Sequence, residues 1–157
     1  MATTTSDLLR IRGETLELLD TAGTPRWSLA VGSILLIAEY TTNEGPYADD
    51  YFLVFVTAED SKLYFSTCPS SAGIEEGLKL LQQRLGSPIQ LELQGSTEWQ
   101  SRVAWPPKMR GTKYFTFKPA PAETLREKVK KRLFGPTYEY EISSAVQEFL
   151  KQQLKAI

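Results

Sequence analysis

At 157 residues, 41% of them apolar and 24% charged, the chain is long enough to bury a real core as one domain, and its formal net charge is only −1. It has no histidine and one cysteine, which excludes Ser-His-Asp and Cys-His catalysis, His- or Cys-built zinc sites and an internal disulfide. The small net charge hides a sorting along the chain: residues 1–101 hold 6 Lys/Arg against 14 Asp/Glu, whereas residues 102–132 hold 10 against 2.

The first seven residues show no basic region followed by an apolar one, so a cytoplasmic address is expected, in agreement with the lone Cys68. Leu9 and Ile11 alternate with Arg10 and Arg12, and Gly13 permits a turn into Thr15–Leu18, so the period of two predicts paired strands. The turn formers of 20–25 predict a second reversal before Trp27 and Leu29. The run Leu29 to Ala38, broken by Gly32 and Ser33, is too short to span a membrane and reads as a buried strand pair. Tyr51 to Val56 is apolar at every position, as expected of a strand covered on both faces, and Glu59-Asp60-Ser61 turns it into Leu63–Phe65. Five or six strands in this stretch predict a curved antiparallel sheet or small open barrel.

Ile74, Leu78, Leu81 and Leu85 form one helical stripe, with Ser70 or Ser71 as cap and Gly86 and Pro88 as terminators. A strand over Ile89–Leu93, a loop from Gly95 to Gly111 and a strand over Thr112–Lys118 are expected next. Two helices then close the chain. Pro121 opens the first, whose face is Leu125, Val129 and Leu133; Ser144 and Gln147 cap the second, whose stripe is Val146, Phe149, Leu150 and Leu154. The expected fold is therefore α+β, with a barrel-like unit over 1–118 and a helical appendage over 119–157 packed on it as a single structural unit. Ile34, Leu36, Leu53, Phe55, Leu78 and Leu81 are its expected core.

The loop of 96–111 combines two tryptophans with cations, so Trp99, Arg102, Trp105, Lys108, Arg110 and Lys113 are the candidate ligand-binding residues. Flat apolar rings beside clustered charge suit a protein or an anionic ligand. The competing account has the tryptophans plugging the end of the barrel and the cations neutralising the chain's own acidic strands. Nucleic acid and anionic lipid are partners without a supporting motif here, and neither glycine-rich phosphate signature occurs. The basic stretch Arg126–Arg132 reads as a solvated helix face or as a surface for anionic lipid or a phosphate backbone. Glu39, Glu44, Asp49 and Asp50 bracket one loop but match no calcium-loop spacing. No catalytic residue, metal site or cofactor is assigned. The expected function is a non-catalytic binding or interaction module; the alternatives are a small carboxylate-dependent enzyme using Glu44, Asp49 or Asp50, and a structural subunit of a homo-oligomer.

Two segments, Glu39–Val56 and Ser96–Pro107, are similar to patterns in uncharacterised bacterial proteins, a resemblance that implies no assigned activity. Separately, residues 8–85 resemble a bacterial pleckstrin-homology-like domain in the order of their parts: meandering strands, Trp27-Ser28-Leu29 running toward Ile34, the Asp50–Phe65 hairpin and a closing amphipathic helix. That resemblance implies a binding scaffold for phosphoinositide, peptide or protein ligands and carries no particular ligand residue with it.

Overall fold

The alternation at the N-terminus builds a three-stranded antiparallel sheet in the order β1 (Leu8–Arg12), β2 (Thr15–Leu19), β3 (Pro25–Ala30). The structure is a computed structural model that describes residues 7–41, 51–69, 72–94, 99–119, 124–126, 128–129 and 138–157. Gly13 takes a φ of +60° in the β1–β2 turn, where a side chain would be strained. The Asp20 carboxylate accepts the N–H groups of Ala22 and Thr24, both at 2.9 Å, and so shapes the turn into β3.

A second sheet has the order β6 (Lys62–Pro69), β5 (Tyr51–Glu59), β4 (Ile34–Thr41), β7 (Gln100–Trp105), all antiparallel. Its apolar content is explained by what covers it. Leu53 and Phe55 point into a first core shared with Leu9, Leu16, Leu18 and the helix α1 (Ala72–Leu85). Val54 and Val56 point the other way, into a second core with Val146, Phe149 and Leu150 of the C-terminal helix α2 (Ser144–Lys155). The central sheet is thus the middle of three layers, and β5 is apolar from Tyr51 to Val56 because both faces of that stretch are covered. The register of β4 against β5 slips by one residue between Ile34 and Leu36, a bulge that returns Ile34 and Ile37 to the same core.

Helix α1 lies on β1 at contact distance because of Gly77. A Cβ there would fall 2.3 Å from the Leu9 carbonyl oxygen, so only glycine permits this approach. Ile74 and Leu81 are fully buried, and Gly86, at φ +72°, ends the helix with its N–H on the Gln82 carbonyl. All six residues expected in the core are buried.

The third sheet pairs β8 (Phe115–Pro119) with β9 (Tyr138–Ile142), which leads directly into α2. The cap of α2 is Ser143 rather than Ser144. Ser143 donates its N–H to the Tyr114 carbonyl and its hydroxyl to the Lys113 carbonyl, and that tether leaves its Oγ to accept the Val146 N–H.

The fold is α+β and antiparallel, but the described strands form three sheets in place of one curved sheet, and no closed barrel is present among the described residues. Three local expectations are corrected. Residues 100–105, expected in a loop, form β7; residues 138–142, where no strand is expected, form β9; and Ile89–Leu93 is not a strand. The caps Ser70 and Ser71, and most of the first C-terminal helix, lie outside the described residues. Leu125 and Val129, expected on its buried face, are 79% and 51% exposed. No described helix is long and apolar enough to cross a membrane.

Candidate functional site

β7 positions the candidate residues, and the alternation of a strand decides which side each one serves. Arg102 is directly opposite Glu39 of β4 in the register and turns toward the first core, with 9% of its surface exposed. Ser101 and Val103 turn to the opposite face, where Val103 joins the second core.

The inward side is a closed polar network. The fully buried Glu39 carboxylate faces the Arg102 guanidinium at 3.4 Å and accepts the N–H groups of Glu92 (2.7 Å) and Leu93 (3.2 Å) and the hydroxyl of Tyr51. Arg102 also reaches Glu92 at 3.0 Å. Burial, reinforced by the bond to Glu39, pushes the Tyr51 hydroxyl well above the ordinary tyrosine range, so it stays a donor. These contacts also explain the missing strand. Ile89–Leu93 keeps its in-and-out alternation, with Ile89 and Leu91 against the first core and Leu93 buried. Its N–H groups, however, go to the Gln82 side-chain oxygen from Ile89, to the Ala104 carbonyl from Gln90 and to the Glu39 carboxylate from Glu92 and Leu93, not to a ladder. Ala104 is free to accept because the β4–β7 register slips by one residue there.

Three further candidates are held by neighbours. The Trp105 indole packs against the first core and donates to the Ser87 hydroxyl at 2.7 Å. The Lys108 ammonium sits 4.9 Å above the Phe149 ring of α2. Arg110 donates to the Gln90 side-chain oxygen at 2.8 Å, and its Nε is buried with no hydrogen-bond partner among the described residues.

Trp99 and Lys113 come together on the outward side. With Gln100, Ser101, Phe115 and Thr116 they line an open cleft of about 400 Å³ between the start of β7 and β8. Its floor is rigid. The Ser101 hydroxyl accepts the Phe115 N–H at 3.0 Å and donates to the Phe115 carbonyl at 3.2 Å, fastening one strand to the other. The Phe115 ring stands edge-on to Tyr40 and Tyr114, with centroids 5.4 and 5.7 Å away, and Tyr40 stacks in turn on Phe52. Trp99 is 37% exposed, and the Lys113 side chain is exposed at the cleft wall. The six candidate residues are therefore divided by the sheet. Arg102 does not project with the others, because its charge is matched inside by Glu39 and Glu92.

Of the four loop acids, Glu39 is the one within the described residues, and its position in the network leaves it no access to solvent. Glu44, Asp49 and Asp50 lie outside them. Among the described residues no three His, Cys, Asp or Glu side chains are grouped to hold a metal ion. Cys68 is buried in the first core, where desolvation, with a smaller contribution from Asp7, pushes its thiol up to about 12. Comparison of the chain with protein-family models, curated proteins and solved structures gave no match.

Proposed function

We propose that the chain is a non-catalytic binding module whose partner places an acidic group against Lys113 and an apolar surface against Trp99. The observation that carries this reading is their shared cleft over a floor locked by Ser101 and Phe115. A flat ring beside one cation suits a partner with a localised negative charge better than a polyanion, since Arg102, Lys108 and Arg110 already have partners of their own. The strand meander β1–β6 followed by α1 supports a pleckstrin-homology-like scaffold as the frame for this cleft, and β7, seated beside β4, is an addition to that frame.

An acidic-peptide array, an oligonucleotide and anionic vesicles, each titrated at low and high salt, test the reading. Binding of acidic peptides that contain an apolar residue, weakened by salt and by Trp99→Ala with an unchanged melting curve, is the expected result. Binding by none of the three probes, or binding indifferent to Trp99→Ala, overturns it. A second reading, a subunit of a homo-oligomer, draws on the exposure of Leu125 and Val129 and is tested by sedimentation over a range of chain concentrations.

A further inference from the structure

The inner face of the central sheet changes character along its length. On β5 the inward residues run Leu53, Phe55, Thr57, Glu59, and the residues opposite on β6 run Cys68, Ser66, Tyr64, Lys62. The apolar core therefore stops at the Phe55–Ser66 pair, and beyond it the space between the two sheets opens to solvent. The opening is a cleft of about 480 Å³ walled by Ser28 and Ala30 of β3 and by Tyr64 and Ser66 of β6, with Thr57 and Glu59 at its base.

Two strand edges meet across this cleft. β3 ends the first sheet and β6 ends the second, and neither has a strand partner on its outer side among the described residues. At one end the edges are stapled by the Trp27 indole, which donates to the Thr67 carbonyl at 3.0 Å. That bond also sets the direction of the β6 backbone. Thr67 presents its carbonyl away from β5, so by the alternation of an antiparallel ladder Phe65 and Leu63 direct their N–H and C=O groups to the same open side. On β3 the Val31 N–H bonds to the Glu14 carbonyl, so Leu29 faces β2 while Ser28 and Ala30 face the cleft. The Ala30 carbonyl is taken by the Ser33 hydroxyl, which leaves the Ser28 groups on that edge.

We infer that this cleft receives an extended peptide segment carrying a basic residue, added as a strand between β3 and β6. Unpaired backbone groups on an edge are met by another backbone, and main-chain bonds of this kind supply affinity while side-chain pockets supply selectivity. The half-exposed Tyr64 ring offers one such contact, and Glu59 is the single charged side chain lining the cleft; Lys62, its register partner, is outside the lining, so the charge presented to an occupant is the carboxylate. The occupant differs in charge from that of the Trp99–Lys113 cleft, and the two sites lie on opposite faces of the central sheet.

A random-peptide display library is the probe, followed by titration of the enriched peptides in solution. Enriched sequences are expected to contain Lys or Arg, and Glu59→Gln is expected to remove that preference. Backbone N-methylation at alternate peptide residues, tested on the unaltered protein, should weaken binding by about tenfold through the lost ladder bonds. Ser28→Pro should weaken it similarly while the protein stays folded, because an outward N–H on an edge strand is a place proline is tolerated. Failure to enrich any peptide, or binding insensitive to N-methylation, overturns the inference. So does a chain dimer that forms through this edge and is dissolved by Ser28→Pro, since a second copy is then the occupant.

Discussion

Arg102 and Lys113 belong to the same basic block of sequence, and the fold uses them in opposite ways. Arg102 is carried inward by β7 to a carboxylate directly across the sheet, with Tyr51 and two backbone N–H groups completing the site. Lys113 stays at the rim of an open cleft beside Trp99. A run of cations along a chain is therefore not a charged surface, because strand parity and register sort it residue by residue. The inward pair acts as a structural joint that ties β4, β7 and the segment 88–93 together, while the outward residue stays exposed at the cleft.

Removing the buried carboxylate has the largest expected effect on the inward joint. Glu39→Ala leaves Arg102 buried beside only the exposed Glu92 and strips two N–H groups of their acceptor, and it should cost about 3–5 kcal/mol in denaturant unfolding. Replacing Glu39 and Arg102 together with Leu and Met should cost less than Glu39→Ala alone, since no unpaired charge remains. A double variant as unstable as the sum of the singles would show that the two residues act independently. Phe55→Ala, which opens a cavity in the first core beside Trp27, should cost a similar ~3–5 kcal/mol. Their difference would appear in hydrogen exchange: Glu39→Ala should expose the amides of Glu92 and Leu93 first, whereas Phe55→Ala should loosen β5 and α1.

Much of this architecture is legible in the sequence, and the omissions share a physical cause. β1 to β6, β8, α1, α2 and the core declare themselves through apolar patterning, which is periodic where one face meets water and unbroken over Tyr51–Val56 where two cores cover the strand. β7 does not, because its inward residue is an arginine whose burial makes sense only once Glu39 lies opposite. The reverse holds for Ile89–Leu93, which alternates like a strand but gives the N–H groups of Glu92 and Leu93 to a side chain distant in sequence. Tyr138–Ile142 alternates in sequence as β1 does, with Tyr138, Tyr140 and Ile142 on one parity and two glutamates on the other. The Trp99–Lys113 pairing could be suspected from composition, but its division from Arg102 and Trp105 depends on the register of β7 and on the slip at Ala104.

A smaller effect comes from pH. Cys68, whose thiol burial pushes up to about 12, is neutral in the folded chain long after an unfolded chain has lost that proton. Its contribution to stability is thus complete below about pH 9 and is lost as pH rises toward the folded value. The raised hydroxyls of Tyr51 and Tyr114 act in the same direction at still higher pH. The melting temperature should be level to about pH 9 and fall above it, and Cys68→Ala should remove the earliest part of the fall. Alkylation of Cys68 by iodoacetamide at pH 8 should be slow in buffer and rapid in denaturant.

The smallest stability effect belongs to Lys113, and that is what separates it from Arg102. Lys113→Glu changes an exposed side chain at a cleft rim and should move unfolding free energy by no more than about 0.5 kcal/mol. The same reversal at Arg102 puts a third acid against the buried Glu39 and beside Glu92, and should lower the melting temperature sharply. Binding of an acidic peptide should respond in the opposite order per unit of stability lost. Lys113→Glu should weaken it and remove most of its salt dependence, because the screened attraction is the one being reversed. If Lys113→Glu destabilises the fold as Arg102→Glu does, the outward cation is structural too, and the division of labour across β7 does not hold.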